Sequence, residues 1–339
     1  LVNLKKIYSL FTMDAITSAA YSIKLDRKAA TANNKAAKER DVFVRLIMRL
    51  FELRKIRILI GFTIPRWFLE LIGFKITPAY YLTDLEARVR HMVNQRRASS
   101  KKMDDYLQIL VDARMDDSIE LGEMDEKENH HAGLTKESLQ ADRESMIRNI
   151  ETNKSGATDS KTKLTDHEVI SSAIFLLIVG LETTATLLTN CSYALAFHPE
   201  IQEKLYEAVK SIAKINEDTG ECSFDYEELT SCEYLDAVIS ETLRTITPAI
   251  VIDRVVKEDY YVEKYNVQLR KGDMLSLAYH ATMNNPEYWP EPHKFDPERF
   301  MGENKNKIVP GSYCPFGLGP RHCLGMRFSL TETKLALAK

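Results

Sequence analysis

Apolar residues recur at helical spacing from the start of the chain. Leu4, Ile7, Tyr8, Phe11, Ala15 and Ile16 predict a helix within residues 1–23. A second apolar stretch, Ile56 to Leu82, is interrupted by Pro65, Gly73 and Pro78. It reads as two or three short helices, either a core element or a surface that dips into a membrane. Asp84 to Arg97 is helical and ends basic, as suits the negative end of a helix dipole. Residues 112–166 are mostly polar and charged, with Gly122, Gly133 and Gly156. They predict a long, loosely ordered connection, with a helix from Lys136 to Ile150. His130 and His131 lie in it; with no other ligand types nearby, a solvated pair is favoured over a metal site.

The longest apolar run is Val169 to Phe197, whose one charge is Glu182. Thr165 and Glu168 have the spacing of a capping box at its start, and His198-Pro199 closes it. Such a helix spans ~43 Å at 1.5 Å per residue, enough to cross a membrane. Glu182, Thr183, Thr184, Thr186, Thr189 and Asn190 crowd its C-terminal half and are ill placed against lipid. A helix through the centre of a large domain is therefore the preferred reading, and the buried acid then needs a purpose or a partner.

Further on, Pro199 to Ile215 predicts an amphipathic helix and Glu227 to Thr245 contains another. Val251 to Val256, Tyr260 to Leu269 and Met274 to Ala278 predict strands, with a turn at Arg270-Lys271-Gly272. Pro-rich coil and a Gly-rich loop lead to a last helix from about Cys323. The predicted class is mainly α with small β-sheets. The final residues, Thr331 to Lys339, read as a helix cut in mid-course, so a fragment of a longer protein is expected.

Composition adds exclusions. A chain of 339 residues with 44% hydrophobic and 28% charged residues is neither disordered nor collagen-like. A net charge of −3 gives no reason to expect nucleic acid as partner. Five cysteines with no C-x-x-C argue against a disulfide framework.

Pro315-Phe316-Gly317-Leu318-Gly319-Pro320-Arg321-His322-Cys323-Leu324-Gly325 carries the most chemistry. A cysteine in the first turn of a helix, with Arg321 two residues away, is expected to have a lowered pKa. The glycines let the backbone turn tightly and a flat object approach. A dinucleotide loop fits poorly because His322 stands where the third glycine belongs. Zinc held by Cys314, His322 and Cys323 would lack a fourth ligand. A buried structural cysteine stays open beside the favoured reading, a ligand-bearing thiolate.

Phe316-x-x-Gly319-x-Arg321-x-Cys323-x-Gly325 resembles the haem-ligand signature of the cytochrome P450 family. A chance match in a chain this long is on the order of one in ten thousand. Glu241-Thr242-Leu243-Arg244, Pro297-Glu298-Arg299-Phe300 and Gly180-Leu181-Glu182-Thr183-Thr184 resemble three further family signatures, in the family's order. Tyr288-Trp289 and Gly325-Met326-Arg327-Phe328 look closest to its microsomal, xenobiotic-oxidising clan.

The resemblance implies a single partial cytochrome P450 domain over 1–339, covering the C-terminal two-thirds of such a protein. It implies haem b (iron protoporphyrin IX) between the long central helix and the cysteine loop. Cys323 would be the axial ligand, with Phe316, Gly319 and Gly325 shaping its loop. Arg254 and Arg321 would pair with haem propionates. Glu241, Arg244 and Arg299 would form a structural network. Thr183 and Glu182 would handle protons, and Gly180 would leave room for oxygen. Phe175, Ile178, Val179, Ala249 and Ile252 correspond to an apolar substrate pocket. Val179 departs from the small residue usual before that glycine and should narrow the space. Proline after the Glu241 helix is displaced to Pro248, and Arg270 replaces the usual proline before Lys271.

The implied activity is insertion of one atom of O₂ into an apolar small molecule. Electrons would come from NADPH through NADPH-cytochrome P450 reductase, docking on the basic face near Cys323, with cytochrome b5 as a further donor. The implied location is the endoplasmic reticulum membrane, cytoplasmic face. Two rivals are a reductase-independent haem-thiolate isomerase and a non-enzymatic fragment that does not retain haem.

Overall fold

A computed structural model describes residues 2–23, 60, 63, 64, 66–74, 79–113 and 164–339. The helix expected at 136–150, the His130-His131 pair and nearly all of the polar connection lie outside the described residues. The chain forms two compact units, residues 1–120 with 158–185, and residues 121–157 with 186–339. It is mainly helical, with three two-stranded antiparallel sheets among the described residues.

In the first unit, α1 (Leu4–Tyr21) starts where the Asn3 side chain accepts the Lys6 N–H at 3.1 Å, and it ends at Ser22 in the left-handed conformation. Helices α2 (Arg66–Leu71), α3 (Ala79–Ala98) and α4 (Tyr106–Asp112) follow. The breaker Gly73 ends α2 at φ 62°, in keeping with the segmented reading of the apolar stretch. The central helix α5 runs Asp166–Phe197. Its capping box forms: Glu168 accepts the Thr165 N–H at 2.8 Å, and the Thr165 hydroxyl accepts the Glu168 N–H at 3.3 Å. The first half of α5 supplies Val169, Ala173, Leu177 and Leu181 to a core completed by Met13, Ile16, Leu85, Val89, Val93, Leu107 and Leu110. The buried Tyr21 hydroxyl donates to the Ala173 carbonyl at 2.6 Å, fastening the end of α1 to α5.

The second half of α5 gives Leu187, Cys191, Ala194 and Leu195 to the core of the second unit. By length and composition α5 is apolar enough to cross a membrane. Its first half serves one core and its second half the other.

The second unit continues with α6 (Pro199–Lys210), β1 (Ala213–Ile215), β2 (Cys222–Phe224), α7 (Tyr226–Ser231) and α8 (Glu233–Thr245). The helix expected to reach Ile215 stops at Lys210. An Asn216–Gly220 turn, with Gly220 at φ 68°, folds Ala213–Ile215 against Cys222–Phe224 instead. The helix expected within 227–245 is α8; the short α7 precedes it, capped by Asp225, and the chain is extended at Cys232 between the two. Strands β3 (Ile252–Val255) and β6 (Met274–Leu277) pair, with Arg254 opposite Leu275. The single strand expected from Tyr260 to Leu269 is a hairpin, β4 (Tyr260–Val262) and β5 (Val267–Leu269), turned by Asn266 in the left-handed region. Helix α9 (Tyr279–Met283) and short 3₁₀ turns then lead to α10 (Met326–Ala338). Besides the core around Leu235, Val238 and Leu330, this unit holds an aromatic cluster of Trp289, Phe300 and Tyr313.

Candidate functional site

Two glycines bend the loop before α10. Gly317 and Gly319 adopt φ 82° and 75°, a region that strains any residue with a Cβ. Three backbone bonds close the bend: Gly317 N–H to Cys314 O at 3.0 Å, His322 N–H to Gly319 O at 2.9 Å, and Cys323 N–H to Phe316 O at 2.8 Å. Cys323 is thereby turned outward and is exposed, next to Leu324 at 81% exposure. A Cβ on Gly325 would meet nothing within 4 Å.

This corrects one expectation. Helix α10 begins at Met326, so Cys323 precedes its first turn. The cysteine misses most of the helix-dipole effect, which is confined to that turn. Its thiol is pushed up from the ordinary value by the protein crowded around it, and the Gly325 N–H pulls the other way. A coordinating metal removes that proton outright, so the raised value does not argue against a ligand.

The most deeply buried charges described sit at the end of α8. Arg244 grips Glu241 with both ends of its fork, at 2.7 and 2.9 Å, and both side chains are fully buried. Arg244 also donates to Met283 O at 3.0 Å and Pro292 O at 2.8 Å, and lies 5.2 Å from the centre of the Trp289 ring. Glu241 accepts the Asp296 N–H at 2.9 Å, and the Arg299 Nε sits 3.6 Å away as an ion pair. Arg299 donates at 3.0 Å to the carbonyl of Glu291, itself at φ 49°. Burial pushes the Glu241 carboxyl up, while Arg244, the Asp296 N–H and Arg299 pull it back. Sequence proximity accounts for the Glu241–Arg244 pair. The carbonyls of Met283 and Pro292, and the Asn284 side chain that donates to Arg244 O at 3.1 Å, carried no signal.

Arg254 is half-buried on β3, with one bond to the carbonyl of Asp253 at 2.9 Å. Arg321 is exposed. Among the described residues neither has a carboxylate partner. An exposed thiol on a glycine-bent loop, open space over Gly325 and two uncommitted arginines fit an iron porphyrin with acidic edges.

In the first unit, Phe175, Val179 and Thr183 fall four residues apart along α5, so they share a face. Phe175 and Thr183 are exposed and Val179 is half-buried. Thr183 donates to Val179 O at 2.7 Å, which leaves its lone pairs free to accept. Glu182 is paired with Lys5, its Oε1 2.9 Å from Nζ, a partner the sequence did not disclose. Gly180, expected to leave room for oxygen, has a packing role here. A Cβ there would fall 2.2 Å from Cδ1 of Ile16, so the missing side chain lets α1 cross α5 closely. Ile178, expected in the pocket, packs on the first core, and Ile252 packs on the aromatic cluster. Ala249 is half-buried in the segment before β3.

The described residues thus define a mainly helical chain with an exposed thiol on a glycine-bent loop and a buried acid–arginine network. The comparisons sharpen this. The family model for cytochrome P450 matches residues 1–339. The chain is 30% identical to cytochrome P450 3A25 of Mus musculus over 343 residues, covering 99% of this chain and 57% of that protein. It is 32% identical to cytochrome P450 9e2 of Blattella germanica over 337 residues, 99% of this chain and 56% of that protein. Over a 181-residue stretch it is 42% identical to cytochrome P450 3A31 of Mesocricetus auratus, covering 53% of this chain and 35% of that protein. The chain belongs to the cytochrome P450 family. It spans a little over half the length of the curated relatives it matches, and membership implies haem as cofactor.

Proposed function

We propose that this chain is the haem-binding portion of a monooxygenase domain that inserts one atom of O₂ into an apolar small molecule. The observation that carries the reading is Cys323, exposed on its glycine-bent loop with Arg254 and Arg321 uncommitted nearby in sequence or strand. When bound, a thiolate-ligated haem supplies the oxygen chemistry, the sulfur donating electron density that favours O–O cleavage.

The chain's own residues do the rest. Cys323 gives up its proton and holds the cofactor. Arg254 and Arg321 bind carboxylates at its edge, which an arginine fork suits. Phe316, Gly319 and Gly325 keep the loop's shape. Glu241, Arg244 and Arg299 make the loop's support rigid. Thr183 accepts and passes protons through its hydroxyl, and Glu182 resupplies them from the solvent side. The family resemblance assigns Phe175, Val179 and Ala249 to apolar contact with substrate. The electron donor would be NADPH-cytochrome P450 reductase, with cytochrome b5 as a second donor, and the site of action the endoplasmic reticulum membrane. These last assignments rest on the family resemblance.

The test is the reduced, carbon-monoxide difference spectrum of the haem-loaded chain. A long-wavelength Soret band that disappears in Cys323→Ala supports the ligand. A featureless trace supports the inert-fragment alternative and sinks the reading. Substrate-dependent NADPH oxidation with a reductase then separates a monooxygenase from a reductase-independent isomerase.

A further inference from the structure

The cysteine-loop signature leaves one residue unspecified between Arg321 and Cys323, and in this chain it is His322. Two of its groups reach a single atom. The His322 backbone N–H donates to the Gly319 carbonyl at 2.9 Å, and the ring nitrogen Nδ1 lies 2.9 Å from the same oxygen. A carbonyl oxygen has lone pairs and no proton, so the ring can meet it only as a donor. The contact therefore puts the proton of the neutral ring on Nδ1 and leaves Nε2 as an acceptor.

Gly319 is one of the two glycines at positive φ, and the Gly319–Arg321 turn ends at His322, where the backbone becomes extended. That turn is thus closed by two bonds from one residue. A Cβ on Gly317 would fall 3.6 Å from His322 Cα, so the bend folds back onto this same residue. The next peptide unit joins His322 to Cys323, and its N–H donates to Phe316 O at 2.8 Å. We propose that His322 is a positioning residue for the thiol: its ring N–H braces the Gly319 carbonyl, which fixes the peptide leading into Cys323 and gives the sulfur one direction. The inference rests on the reading of Cys323 as haem ligand. The brace itself rests on the ring contact.

In the parent chain without haem, nitrogen-resolved imidazole spectra in mildly alkaline buffer should show His322 as the Nδ1–H tautomer. The Nε2–H tautomer overturns the proposal, and this reading needs no variant to fold. Two variants then separate the donor from the ring. His322→Asn offers an amide N–H close to the place of Nδ1, and His322→Leu offers none. In His322→Leu the Cys323 amide should exchange hydrogen roughly tenfold faster, while amides of α8 keep the parental rate. Loaded with haem, this variant should lose it several-fold faster and shift part of the reduced, carbon-monoxide Soret band to the shorter wavelength of a neutral thiol. His322→Asn should return exchange, haem loss and spectrum most of the way to the parent. Unchanged exchange at Cys323 in the leucine variant overturns the proposal, and so do two variants that behave alike. Faster exchange with parental haem loss and spectrum overturns it as well, since the bond would then be merely structural. A parent chain that takes up haem no differently from its Cys323→Ala variant sinks the ligand reading instead. The tautomer and the exchange rate then decide the brace by themselves.

Discussion

Two carboxylates buried in the second unit make an instructive pair. Glu241 on α8 is sealed from solvent and meets two arginines and a backbone N–H. Glu332 on α10 is 6% exposed, and among the described residues neither of its oxygens has a hydrogen-bond partner. Burial pushes both carboxyls up from their ordinary value. For Glu241 three donors offset much of that push, while Glu332 has none and rises to about 8. Desolvation is common to the two sites, so the difference lies in the partners. A third acid, Glu182, shows the remaining case: it is paired with Lys5, but both side chains are 35% exposed and water already does much of the work.

The comparison can be broken most forcefully at Arg244. Arg244→Leu puts Glu241 near the condition of Glu332, a buried carboxylate that has lost its main cation. Breaking a buried pair by removing one partner costs about 3–5 kcal/mol, so urea unfolding should show a loss of that size. A loss below about 1 kcal/mol would mean the network contributes no more than an exposed pair.

Glu332 sharpens the comparison through pH. Its proton is held up to about pH 8 in the folded chain but leaves near the ordinary value of 4.5 when the chain unfolds. Between those values the folded state binds the extra proton, so stability falls as pH rises, and the fall levels off above about pH 8. The loss should reach about 2 kcal/mol between pH 6 and 7.5. Glu332→Gln should remove that slope. Urea midpoints of the two chains across this range decide it, and parallel curves would show that Glu332 is ionised and solvated in the folded chain.

The smallest effect is expected at the exposed pair. Lys5→Ala should change stability by less than about 1 kcal/mol, and less again at high salt. A larger loss, measured the same way, would place Glu182 with the buried acids.

Much of this was legible along the chain because it is local. The capping box at Thr165 and Glu168, the break at His198-Pro199 and the Glu241–Arg244 pair each depend on residues within one turn of helix. The cysteine loop was recognisable because its glycines and its thiol are contiguous. The misjudged boundaries have one cause: periodicity describes a segment and not what competes for its ends. Ala213–Ile215 could extend a helix, yet pairing with Cys222–Phe224 across the Asn216–Gly220 turn removed that option. Likewise Cys323 was expected inside α10, but the bonds closing the bend at 316–323 hold it outside.

The order of residues by itself determined a mainly helical chain, a long central helix, and a loop that offers one cysteine between glycines, since each follows from neighbours a few positions apart. Tertiary structure alone decided that Ile16 fills the space beside Gly180, that Lys5 answers Glu182, that Tyr279 lies beside Gly317, and that Glu332 is buried with no hydrogen-bond partner among the described residues. The physical reason is distance along the chain. Packing and desolvation depend on which remote side chains arrive at a point, and no local pattern records those arrivals.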